Sequence, residues 1–203
     1  MEEVLVTKRS IIDPIGQSAT EILGLPDDFS ERIEGNLFFV PRNDAENDFT
    51  LKQIIPYAVI IGEKGIFVMK RTKKQTEKRL HDKLSVGVGG HINRSDIEEK
   101  AASSALNGEK LIRHGMKREL DEEVGITGEY TIELLGCIND NSTEVGQVHF
   151  GICYLVRLLG GDVFVRETEK MTGEWMSLAE AEKKIPDMES WSAIAVSVLS
   201  CRK

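Results

Sequence analysis

Cysteine, histidine and long apolar runs are scarce in this chain, and each shortage removes a class of function. The three cysteines, Cys137, Cys153 and Cys201, are odd in number, far apart and without a CxxC pair, which fits neither a disulfide framework nor a zinc site. The four histidines, His81, His91, His114 and His149, show no HExxH-type spacing, so haem, zinc and cysteine-nucleophile chemistry are set aside. No stretch reaches the roughly 18 apolar residues of a membrane span. The N-terminus, Met1-Glu2-Glu3-Val4, is acidic where a signal peptide is basic, so a soluble, cytoplasmic protein is expected. Positive charge is also in deficit: 26 Lys and Arg stand against 34 Asp and Glu, for a net charge of −8 and a pI near 5.2. That argues against nucleic acid or an anionic membrane as the main partner. A small phosphorylated ligand stays open, because metal ions can supply the missing positive charge.

What the chain does have is 203 residues, 40% of them hydrophobic, enough for one well-buried core with additions. The stretch from Leu84 to Ile126 organises it. Near its end, Glu119, Glu122 and Glu123 follow i, i+3, i+4 spacing, so a helix gathers them within roughly a third of its circumference. Three like charges there are either a solvated face or a site whose counter-charge is a bound cation. Ile112, Met116, Leu120 and Val124 form an apolar stripe beside them, and Gly125 reads as the helix stop.

In chain order, Val4 to Thr7 and Leu37 to Val40 read as short strands, and residues 1–53 as an extension packed on the main domain or on a second subunit. A homodimer is the assembly the latter implies. The main domain, 54–203, opens with a hairpin, Ile54 to Ile61 and Gly65 to Lys70, followed by residues 70–83, half of them Lys or Arg. These are either a solvated loop or a holder of phosphate, with Lys70 and Arg71 the better placed because they close a strand. Gly89-Gly90 lets the backbone turn close to a ligand. Ser95 to Glu98 reads as a capping box opening an extra helix, and Asn107-Gly108 as its stop. Further strands are expected at Tyr130–Cys137, Gln147–Leu158 and Asp162–Val165. Two helices follow, one opened by Ser177 and one from Met188 to Leu199. His149, lone on a strand, reads as structural.

The run Arg118-Glu119-Leu120-Asp121-Glu122-Glu123-Val124-Gly125-Ile126, with Gly89-Gly90 upstream, resembles the signature of the Nudix (MutT-type) hydrolases. The family pattern is Gly, five residues, Glu, seven residues, then Arg-Glu-hydrophobic-x-Glu-Glu-x-Gly-hydrophobic. The second half matches at every fixed position. Sought at Glu109, the first half departs: eighteen residues separate Gly90 from Glu109, and eight separate Glu109 from Arg118. Gly173-Glu174-Trp175-Met176-Ser177-Leu178 resembles a second element of MutT-type members, which carry a functional glutamate upstream of the tryptophan.

The resemblance implies an α/β/α sandwich with a mixed central sheet, an N-terminal extension and a helical insertion inside the signature. It implies hydrolysis of a nucleoside diphosphate linked to another moiety, with Mg²⁺ or Mn²⁺ held by Glu119, Glu122 and Glu123. Arg118 and Glu122 would serve catalysis, Lys70, Arg71, Gly89 and Gly90 the substrate. Glu169, six residues before Trp175, would be general base or further cation ligand, with Glu167 and Glu174 as its alternatives. A ligand-sensing module of the same fold would be expected to lose carboxylates that this chain keeps. An isopentenyl-diphosphate-isomerase-like enzyme would carry a cysteine where Val86-Gly87-Val88-Gly89 stands.

Overall fold

The computed structural model describes residues 2–71, 83–97, 107–166, 168–169 and 171–201. The chain begins with β1 (Glu3–Lys8), α1 (Arg9–Ile12), α2 (Phe29–Glu34), β2 (Phe38–Pro41), α3 (Arg42–Asn47), β3 (Leu51–Gly62) and β4 (Gly65–Arg71). Next come β5 (Leu84–Ser85), β6 (Gly87–Gly89), α4 (Gly108–Glu123), β7 (Val124–Thr127) and β8 (Tyr130–Ile138). The remainder is α5 (Glu144–Val148), β9 (His149–Leu158), β10 (Asp162–Val165), β11 (Met171–Met176), α6 (Leu178–Lys183) and α7 (Ser190–Cys201).

The architecture is an α/β/α sandwich built around β3. This strand pairs in parallel with β9 and antiparallel with β1, β4 and β6, making the sheet mixed. Its near-continuous apolar run, Ile54 to Ile61, follows from helices covering both faces. Even positions Ile54, Ala58 and Ile60 pack with Ile112, Met116 and Leu120 of α4 and with Phe29 and Ile33 of α2. Odd positions Tyr57 and Val59 pack with Ile194, Ala195, Val196 and Leu199 of α7. This is the two-residue alternation of a strand, expressed on two apolar faces. Among the described residues no helix is long and apolar enough to cross a membrane.

Several elements differ from the sequence reading. Asn107-Gly108, read as the stop of the inserted helix, begins α4: the Asn107 side chain accepts from the Lys110 amide at 2.9 Å, and the same residue types that stop one helix cap the next. The opening of the insertion is a 3-10 turn, Arg94–Asp96, preceded by Asn93; residues 98–106, where the extra helix was expected, lie outside the described residues, as do 72–82 of the basic segment. Gly125 does not stop α4. It sits in β7, where a Cβ would collide with the Phe164 ring, so close packing rather than a left-handed turn demands glycine. Thr172-Gly173, upstream of the Trp175 element, are held in β11 opposite Lys70 and Met69, with Gly173 against the Phe67 ring.

One buried cation ties the sheet to its connections. The Lys52 side chain is fully buried, and its ammonium donates to Asn141 Oδ1, to Gly146 O at 2.7 Å and to His149 O at 3.1 Å. Burial, with the Arg9 charge behind it, pushes its pKa down to about 8 from 10.5. The unfolded chain therefore binds the proton more tightly, so Lys52 weighs against folding below about pH 8 and this penalty is relieved as pH rises towards 10.5. Lys52→Met leaves three oxygens without their donor and is expected to destabilise the fold by about 2 kcal/mol at neutral pH. Denaturant unfolding should show the gap between wild type and variant widening from pH 8 to 10; a gap that narrows contradicts the burial argument.

Candidate functional site

Helix α4 presents the site because its two sides are chemically unlike. Leu111, Ile112, Met116 and Leu120 are buried, which fixes the rotation of the helix and leaves Arg118, Glu119 and Glu122 along its flank. Arg118 then engages all five of its N–H groups. Nε donates to Asp96 Oδ1 at 2.6 Å and Nη2 to Asp96 Oδ2 at 3.0 Å, a bidentate pair with a carboxylate that is only 3% exposed. Nη2 also donates to the carbonyl of His91 at 2.8 Å. Nη1 donates to Glu119 Oε1 at 2.9 Å and Glu122 Oε2 at 3.1 Å. The hydrogen bonds with Asp96 hold the Arg118 pKa above its ordinary value, against the cost of burial.

Gly89 and Gly90 bring the backbone onto this cluster. A Cβ at Gly90 would collide with the Glu119 carboxylate, and one at Gly89 with the carbonyl of Pro56. No side chain fits at Gly89, where the obstacle is backbone, and at Gly90 one would have to displace the Glu119 carboxylate. Glu119 is mostly enclosed, its side chain 13% exposed, and burial raises its pKa with Arg118 opposing. Glu122 is 59% exposed, and Glu123 is half-buried at the helix end, where its carbonyl accepts from Arg166 N at 2.9 Å. That last bond carries the chain after β10 past the acidic end of α4. Glu169 lies three residues beyond it, in the turn leading into β11, whose first residue, Met171, faces Arg71. Lys70 is exposed at the end of β4, opposite Leu84. Glu167 lies outside the described residues, and Glu174 is exposed within β11.

The structure thus brings together Arg118, Glu119, Glu122, Gly89 and Gly90, with Glu123 adjoining. Among the described residues no three histidine, cysteine or acidic side chains stand close enough to share one ion; Glu119 and Glu122 both accept from the same Arg118 nitrogen. In kind, however, the donors fit a hard divalent cation: oxygen only, with the carboxylates of Asp96, Glu119 and Glu122 set against one guanidinium.

Asp96 is the residue that sequence reasoning missed. Five residues separate it from Gly90, which is the spacing of the pattern's first glutamate. Counting forward from the glycine, and admitting aspartate, would have found it; the extra residues then fall between Asp96 and Arg118. Glu109, sought instead, is exposed and reaches only Arg113, at 3.8 Å. His91 is a second omission. Burial, then Arg42 and His149, push its pKa down to about 3, so this ring is neutral near pH 7, and its centroid lies 5.6 Å from that of His149.

A family model described as the NUDIX domain matches residues 52–196. Protein YmaB of Bacillus subtilis (strain 168) is 40% identical over 173 residues, covering 83% of this chain and 81% of that protein. The crystal structure of Tm1382, assigned as a Nudix hydrolase, superposes with a TM-score of 0.79 at 32% identity over 98% of both chains. The structure of DR0079 from Deinococcus radiodurans, 16% identical with a TM-score of 0.52 over 83% of this chain and 93% of that one, shares the fold.

Removing Asp96 leaves the Arg118 guanidinium without its bidentate partner. Asp96→Ala is expected to cost about 2–3 kcal/mol in denaturant unfolding, and Asp96→Glu to recover part of it. Glu109→Gln should change stability by less than about 0.5 kcal/mol, as an exposed pair does. The reverse ranking would make Glu109, and not Asp96, the carboxylate that anchors the helix.

Proposed function

The chain belongs to the Nudix family and is a hydrolase of pyrophosphate bonds, and from that premise we propose that it cleaves a nucleoside diphosphate linked to another moiety, with Mg²⁺ or Mn²⁺ held by Glu119, Glu122 and Glu123. The observation that carries this reading is the gathering of Asp96, Glu119 and Glu122 around Arg118 against the closely approaching backbone of Gly90. A bound divalent cation neutralises the diphosphate and lowers the pKa of a coordinated water.

The chain's own groups divide the remaining work. Arg118 is a positioning residue that orients the Glu119 and Glu122 carboxylates and, through the His91 carbonyl, the loop after Gly90. Gly89 and Gly90 admit the diphosphate close to the backbone. Lys70 and Arg71 neutralise an anionic group at the open end of β4. Glu169, carried past the end of α4 by the Arg166 bond, accepts the proton of the attacking water or adds a cation ligand. In this reading residues 54–203 are the catalytic domain and 1–53 the extension.

A panel of nucleoside triphosphates, ADP-ribose, dinucleoside polyphosphates, NADH and nucleotide sugars, assayed with Mg²⁺ and then Mn²⁺, tests the substrate class. On the substrate so found, Glu122→Gln should lower kcat by orders of magnitude with little change in thermal stability, because Glu122 is an exposed member of a self-repelling cluster. Calorimetric Mg²⁺ titration should show weakened binding; unchanged affinity would remove Glu122 from the metal site.

The base is tested separately. Glu169→Gln should lose about 10²–10⁴-fold in kcat together with the acidic limb of the pH–rate profile. Glu167→Gln and Glu174→Gln serve as controls, and a loss confined to one of them transfers the role to that residue.

A further inference from the structure

On the α4 face of the sheet, at the opposite end of the helix from the acidic cluster, the chain before β2 roofs a cavity of about 160 Å³. Leu25, Phe29 and Ile33 close it from above, Ile112 from α4, and Ile132 and Ile152 from β8 and β9. A cavity of about 150 Å³ with Leu, Ile and Phe walls accommodates a molecule the size of benzene. Leu134 extends the apolar wall to the surface, where it is 52% exposed.

Two polar features distinguish this cavity from a packing gap. Tyr154 lines it and is only 5% exposed, yet no group among the described residues hydrogen-bonds its hydroxyl. The hydroxyl itself keeps contact with the cavity space, so its donor and acceptor are open to a ligand. Arg113 and Glu109 stand at the mouth, 3.8 Å apart and largely solvated. That separation is beyond hydrogen-bond length, so the guanidinium keeps donors for another acceptor. At the Tyr154 hydroxyl, which burial pushes up to about 12, Arg113 acts more strongly than Glu109. A guanidinium with donors to spare at the mouth matches a carboxylate, which can accept from it in a bidentate pair.

We propose that this cavity is a binding site for a small aromatic or branched-chain carboxylate, its apolar body between Phe29, Ile112 and Ile152 and its carboxylate at the mouth between the Tyr154 hydroxyl and Arg113. The site is separate from the acidic cluster, since Arg113 and Glu119 are six residues apart, about 9 Å along the helix. It does not depend on the proposed substrate. Four of its eleven lining residues come from Leu25 and α2, which precede the residues matched by the family model.

The full chain with ¹³C-labelled isoleucine and leucine methyls is titrated with benzoate, and with benzyl alcohol as the uncharged match. Saturable shifts are expected at Ile112, Ile132, Leu134 and Ile152, while Ile194 and Leu199 across the sheet stay still. Arg113→Gln should weaken benzoate about tenfold, a loss of ~1.4 kcal/mol, with Arg113→Lys between the two. Tyr154→Phe should weaken it as well. Leu134→Trp adds bulk at an exposed position and should block entry while the Ile194 and Leu199 signals show the fold intact. The proposal is overturned by the absence of saturation at about 10 mM benzoate, by benzyl alcohol binding as tightly as benzoate, or by unchanged benzoate binding in Leu134→Trp.

Discussion

A single guanidinium joins the loop after β6 to the acidic flank of α4. Arg118 reaches the turn after β6 through Asp96 and the His91 carbonyl, and its own helix through Glu119 and Glu122. Five donors in a rigid plane make this arrangement; an ammonium has three, on a flexible stem, and reproduces neither the bidentate pair nor the span between loop and helix. The same contacts offset the mutual repulsion of carboxylates that α4 would otherwise carry at i, i+3 spacing. They also set the closeness of Gly90 to Glu119, because the loop is pulled onto the helix from two anchor points.

The sheet supplies the stiffness this clamp needs. Strand β3 touches partners on both edges and apolar layers on both faces, so its position is over-determined. The first strand adds a direct tie to the site: Leu5 N donates to Ile92 O at 2.8 Å, and Val4 bridges to Asn93. The segment after Gly90 is thus held by β1 on one side and by Arg118 on the other. Lys52 performs a comparable task for the connection between β8 and β9, with a charge in place of an apolar contact.

Periodicity and local chemistry made much of this legible. The acidic spacing of α4, its apolar stripe, the β3–β4 hairpin and the Ser177 cap each rest on neighbours in sequence, and each has a counterpart in the structure. The misreadings arose where a residue's role is set by something distant. Gly125 looks like a helix stop until Phe164 is known to lie against it. Asn107-Gly108 is ambiguous because a cap residue reads alike from both directions. Asp96 escaped notice because its partner lies on another element, 22 positions away, and because counting began from the helix instead of the glycine. The strand β11 was hidden by its polar sequence, which suffices where β4 offers a ready edge.

The anchoring of Asp96 has an implication for how this chain tolerates change. Asp96 is clamped by Arg118, its carbonyl is met by His114 at 2.7 Å, and α4 restarts under its own cap at Asn107. Both stumps of the intervening segment are therefore fixed independently of what joins them. A peptide tag spliced between 97 and 107 would thus ride on the enzyme without moving a carboxylate.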